Sequence, residues 1–173
     1  AGKTTLFNRL TGVTKRTGEG MFTTLSTYTR SFKVNKNMTL LISDTIGFIN
    51  KLPPYMIDAF RSTLNEMTYS DLTLLVIDGS DPLNVIDKKI QSSTKVMNDL
   101  MIPLTRILYL FNKADRIEDY DLFVDALTKS KVFDPLASHF MLISSKTGYN
   151  IEKLENFLRL SFDSRSYYGL HYG

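Results

Sequence analysis

The chain has 173 residues, 43% of them hydrophobic and 23% charged, which suits one globular domain with a core and excludes disorder along the whole length. It contains no cysteine, so a disulfide scaffold, thiolate zinc sites and cysteine nucleophiles are excluded. The net charge is +3, with the basic excess concentrated in residues 1–60, which suits either RNA phosphates or a bound polyphosphate.

The first element is a short helix over 3–11, with Leu6 and Leu10 on one face and Gly12 placed to end it. Residues 14–20 lack an apolar period and read as a loop. Residues 28–34 alternate as a strand, Asn35-Lys36-Asn37 is turn chemistry, and 38–43 is a second strand, so the pair predicts a hairpin. Helical spacing through Ile57, Phe60 and Leu64 predicts a helix over 54–67. A buried strand at 72–77 follows, then a helix from 82 to 100 with Pro82 in its first turn. Residues 105–111 predict another buried strand, 118–129 a helix, 140–143 a short strand and 151–162 a closing amphipathic helix. Continuous apolar strands alternating with helices imply an α/β, doubly wound, mostly parallel sheet with helices on both faces. The apolar runs are too short to span a bilayer, and no basic-then-apolar leader opens these residues, so the expected location is cytoplasmic.

Four short motifs follow predicted strands or open a helix. Gly2-Lys3-Thr4-Thr5 has the form of the second half of a phosphate-binding loop, where Lys reaches the phosphates, a hydroxyl binds Mg²⁺ and the helix N-terminus faces the anion. Asp44-Thr45-Ile46-Gly47 sits at a strand's carboxyl end, where the carboxylate can hold a Mg²⁺-bound water and the Gly47 N–H can approach a γ-phosphate. Asn112-Lys113-Ala114-Asp115 offers a carboxylate to the N1 and N2 donors of guanine, an arrangement that adenine lacks. Ser144-Ser145-Lys146 offers a backbone N–H to guanine O6 and a Lys stem to cover the base. Taken singly, each also fits an ordinary helix start, strand-end turn, N-cap or polar loop. Their order and their places after strands favour a guanine-nucleotide site.

With these four motifs in this order, the chain resembles the Ras-like P-loop GTPases. Phe22-Thr23-Thr24-Leu25, Thr29-Arg30, Asp44 through Ile49, Leu52-Pro53, Ala59-Phe60-Arg61 and Asp78-Gly79-Ser80-Asp81-Pro82 narrow the resemblance to the HflX type, within the Obg/HflX group. Ser26-Thr27-Tyr28 stands where that family often has Asp-Pro-Thr. The resemblance implies Thr24 as a second Mg²⁺ ligand, with Thr23 as the alternative, so that Thr4, Thr24 and Asp44 form the metal set and Lys3, Thr24 and Gly47 the catalytic set. It implies GTP/GDP and Mg²⁺ as ligands, and the large ribosomal subunit, through its rRNA and proteins, as partner. K⁺ would depend on a position ahead of Ala1. Phe48 stands where Ras-type enzymes place a water-orienting Gln, so slow intrinsic hydrolysis and stimulation by a partner are expected. The alternatives are another Obg- or Era-type GTPase and a module that binds guanine nucleotide without hydrolysing it.

A complete phosphate loop needs a further glycine and a strand ahead of Gly2, lying centrally between the strands at 38–43 and 72–77. The expected organisation is therefore a G domain over 1–162 that lacks its first strand, with 163–173 a tail or the start of a following segment. Two sheet edges should then face an empty slot, and this stretch alone should fold poorly and bind nucleotide weakly.

Overall fold

A computed structural model of the chain describes residues 1–13, 28–44, 67–130, 132–133 and 138–168. The helix expected over 54–67, apart from its last residue, lies outside the described residues, as do Thr24, Gly47 and Phe48.

Helix α1 covers Lys3–Thr11, as its apolar spacing predicts, and is bounded by Gly2 and Gly12, both left-handed. Strands β1 (Tyr28–Lys33) and β2 (Thr39–Asp44) form an antiparallel hairpin that pairs Tyr28 with Asp44 and Phe32 with Leu40. Its turn is held by the Asn35 side chain, whose Oδ1 accepts from the Asn37 N–H at 2.8 Å. Strand β3 (Thr73–Asp78), helix α2 (Leu83–Asp99), strand β4 (Ile107–Asn112), helix α3 (Tyr120–Thr128), strand β5 (His139–Leu142) and helix α4 (Ile151–Tyr168) follow. Pro82 caps α2 rather than entering its first turn. The closing helix runs past the expected end at 162 to Tyr168. Asp119 caps α3 by accepting from the Leu122 N–H.

Strands β3, β4 and β5 are parallel, in the order β3-β4-β5. All six residues of β4 are buried, and they divide by alternation between two cores. Ile107, Tyr109 and Phe111 face Ile86, Ile90 and Met97 of α2 and Leu127 of α3. Leu108 and Leu110 face Leu6 and Leu10 of α1 and Leu154 and Leu158 of α4. Helices cover both faces, which is why the parallel strands read as continuous apolar runs.

Among the described residues, the hairpin and the parallel triplet do not pair. Residues 39–43 of β2 and 73–78 of β3 instead line a cleft of about 750 Å³, with Lys3 near one end and Leu158 and Phe162 also on its wall. Among the described residues, no helix is long and apolar enough to cross a membrane.

Candidate functional site

Three strand ends and one helix start meet at a single edge of the molecule. The carboxyl ends of β2, β3 and β4 supply Asp44, Asp78 and Asn112, and the first turn of α1 supplies Lys3, Thr4 and Thr5. Ligands of α/β sheets bind at such an edge, because the strand ends and the helix N-termini open there together.

The Thr4 hydroxyl donates to Asp44 Oδ2 at 3.1 Å, joining the first turn of α1 to the end of β2. Lys3 stands beside them, half-buried. Burial lowers the pKa of its ammonium below the ordinary value, and the Asp44 carboxylate acts in the opposite direction. A cation partly withdrawn from water beside a helix N-terminus is suited to an anionic ligand. Thr5 is half-buried in the same turn.

Asn112 ties three segments together. Its Oδ1 accepts from the Ser145 N–H at 2.8 Å and from Ser145 Oγ at 3.0 Å, while its Nδ2 donates to the Ala1 carbonyl at 2.7 Å. The residue is only 2% exposed, so its amide holds protein loops and does not line an open surface. Gly2 makes this contact feasible: its φ is 84°, and a Cβ there would come within 2.6 Å of Asn112 Nδ2.

Lys113 adopts a left-handed conformation at the turn after β4 and forms an ion pair with Asp78. Burial disfavours the ionised form of Asp78, but Lys113 and the Ser80 hydroxyl and N–H outweigh it, holding the carboxyl at about 2. Asp115 is held by Ser144, whose hydroxyl donates to its Oδ1 at 2.5 Å. That bond lowers the Asp115 pKa, so the carboxylate is an acceptor at neutral pH. The Ala114 N–H donates to the Ile143 carbonyl at 2.9 Å, fixing the Asp115 turn against the Ser144–Lys146 loop.

Among the described site residues, then, the structure gathers Lys3, Thr4 and Asp44 into one group, and Asn112, Asp115, Ser144 and Ser145 into another, with Ala1 and Gly2 linking the two. Two participants have roles that the motifs do not state. Asp78 is the partner of Lys113, and Arg9 reaches from α1 to the 144–148 loop. A basic residue in the last turn of a helix ordinarily reads as a complement to the helix dipole, so nothing local marks Arg9.

Residues 1–113 match the family described as 50S ribosome-binding GTPase. The chain is similar to GTPase HflX of Methanocaldococcus jannaschii, 36% identical over 91% of this chain and 38% of the relative. It is also similar to GTPase HflX of Thermococcus kodakarensis, 41% identical over 70% of this chain and 27% of the relative. Among solved structures, a GTP-binding protein from Sulfolobus solfataricus in complex with GDP superposes with a TM-score of 0.70, at 30% identity over 90% of this chain and 47% of that one. The chain thus spans well under half the length of the curated relatives it matches. Its fold is that of the Ras-like P-loop GTPases, a mixed α/β arrangement with a parallel triplet and an antiparallel hairpin. The chain belongs to the 50S ribosome-binding GTPase family and is of the HflX type.

Proposed function

We propose that this chain is the guanine-nucleotide-binding, GTP-hydrolysing switch domain of an HflX-like protein that acts on the large ribosomal subunit in the cytoplasm. The observation that carries the reading is the Asn112 junction, which joins the segment beside the phosphate-type residues to the loop beside the base-type residues. Lys3 and the N–H groups of the first turn of α1 bind the phosphates. Asp115 accepts from guanine N1 and N2, Ser144 keeps it ionised and oriented, and the stem of Lys146 covers the base. Lys113 braces the Asp115 turn through Asp78.

Thr4 and Asp44 offer a hydroxyl and a carboxylate close together, the hard oxygen donors that Mg²⁺ takes directly or through water. No cluster of three or more His, Cys, Asp or Glu gathers among the described residues, so these two, Thr24 and the phosphates would hold the ion. Bound there, Mg²⁺ supplies charge neutralisation at the phosphates. Thr24 and Gly47 complete the γ-phosphate contacts in this reading. Phe48 cannot orient water through a hydrogen bond, so hydrolysis is slow until a partner supplies that function. Loss of the γ-phosphate would release both switch segments and change affinity for the ribosomal partner. The facing edges of β2 and β3, which pair with no strand among the described residues, support a G domain over 1–162 whose central strand lies ahead of Ala1, with any K⁺ ligand in the same region and 163–173 leading onward.

The test uses the full-length protein. Asp115→Asn should weaken GDP binding by about 100-fold or more and move the preference to xanthosine diphosphate, since an amide presents a donor where the carboxylate accepted. An unchanged preference for guanine sinks the base-reading assignment. The Phe48 position favours one rival, a module that docks on guanine nucleotide without turnover. Single-turnover GTP hydrolysis separates the two: stimulation by ribosomes supports the switch, and no turnover with or without them supports the module.

A further inference from the structure

Arg9 stands in the last turn of α1, and its guanidinium is turned onto the loop that follows β5. Its Nε donates to the Ser145 carbonyl at 2.8 Å and its Nη2 to the Lys146 carbonyl at 2.7 Å. One planar fork therefore grips two consecutive peptide groups in a fixed geometry that a flexible ammonium does not pre-set. Gly148, with φ of 93°, keeps the approach open: a Cβ there would lie 3.1 Å from Arg9 Nη1.

Peptide geometry carries this contact to the far side of the loop. A planar trans peptide points its N–H opposite to its C=O, and no cis peptide occurs among the described residues. Gripping the Ser145 carbonyl thus fixes the direction of the Lys146 N–H, and gripping the Lys146 carbonyl fixes that of the Thr147 N–H. The neighbouring amides already have acceptors. The Ser145 N–H is bound to Asn112 Oδ1, and the Thr147 N–H donates to Ser144 Oγ at 3.1 Å. The Lys146 N–H alone of these three has no acceptor among the described residues, and it points away from the guanidinium.

We propose that Arg9 is a positioning residue for base recognition: by holding the Ser145 and Lys146 carbonyls it aims the Lys146 N–H at the O6 atom of a bound guanine. The charged hydrogen bond on the Ser145 carbonyl also polarises that peptide and makes its N–H a stronger donor. Helix α1 then serves both ends of the ligand, with Lys3 and Thr4 at the phosphates and Arg9 behind the base. The inference rests on the guanine reading above.

The experiment compares GDP with 6-thio-GDP, whose C6 sulfur is a poorer acceptor but whose N1 and N2 donors are retained, on the full-length protein and its variants. Arg9→Ala should weaken GDP binding about tenfold and 6-thio-GDP binding only about twofold, so that the preference for oxygen at C6 shrinks. Arg9→Lys keeps the charge but reaches one carbonyl, and should recover part of that preference. Equal losses for the two ligands, or an Arg9→Lys variant with no recovery, overturn the proposal. If Arg9→Ala does not fold, Arg9→Lys carries the same comparison: a preference for oxygen smaller than that of the native protein supports it, and a native preference overturns it. Asp115→Asn keeps the two claims apart. Retained guanine preference in that variant defeats the base reading itself, whereas a move to xanthine together with equal Arg9 losses defeats only the role of Arg9.

Discussion

Asn112→Ala should separate the phosphate side of the site from the base side. The native amide makes three bonds, to Ser145 N, Ser145 Oγ and the Ala1 carbonyl, at 2.8, 3.0 and 2.7 Å. Ser145 is 3% exposed, so its N–H loses its acceptor where water does not readily replace it. An orphaned buried donor costs about 1–3 kcal/mol, and each of the other two lost bonds about 0.5–1.5 kcal/mol. The expected destabilisation is therefore about 2–6 kcal/mol, a large part of the ~5–15 kcal/mol that holds most domains folded. With a urea dependence of about 2 kcal/mol per molar, the unfolding midpoint should fall by about 1–3 M without a change in slope. GDP affinity, measured by fluorescence titration of the full-length protein below that midpoint, should fall by more than about tenfold, the equivalent of ~1.4 kcal/mol. A midpoint shift below about 0.3 M would refute the energetic argument. A large shift with unaltered GDP affinity would refute the idea that this residue joins the two halves of the site.

Gly2→Ala acts on the same junction from the other side. It forces a Cβ into a left-handed conformation and to within 2.6 Å of Asn112 Nδ2, so it should destabilise by about 1–2 kcal/mol through the backbone alone. Combined with Asn112→Ala, its cost should be less than additive in a double-mutant cycle on urea midpoints, and strict additivity would count against the contact. Asp78 gives a pH dependence. Its folded carboxyl titrates at about 2 against an ordinary 3.8, so its stabilisation is complete above the unfolded value and is lost as pH falls through the folded one. Native protein should lose urea resistance more steeply than Asp78→Asn on acidification across that window, and parallel profiles would show that the Lys113 pair does not contribute.

Local pattern carried much of the architecture. Strand β4 was legible because a strand buried on both faces must be apolar at every position, and helix α1 because Leu6 and Leu10 repeat on one face between two glycines. The end of α4 was not, because the residues beyond 162 lack a strong apolar period and most of them are weak helix formers, so neither pattern nor propensity marks the extension to Tyr168. The candidate site divides in the same way. The motifs named Asp44, Asn112 and Asp115 through their places at strand ends, yet gave no account of how Asn112 uses its amide. Its partners lie at Ser145 and Ala1, and hydrogen bonds between distant segments leave no periodic trace. Arg9 escaped for the same reason, and Asp78 was named only as part of a family motif: their roles come from carbonyls and a cation brought to them by the fold.

The facing edges of β2 and β3 also bear on how this stretch of chain behaves in concentrated solution. Bare strand edges are templates for strands of other molecules, and here two edges with no strand partner among the described residues border one cleft. Self-association would then begin at these edges while both cores are still intact, so precipitation would set in well below the temperature at which the helices melt. Leu41, 76% exposed on β2 at the wall of that cleft, is the natural place for a charged gatekeeper. A lysine there leaves the packing of β4 untouched and gives neighbouring molecules a reason to stay apart.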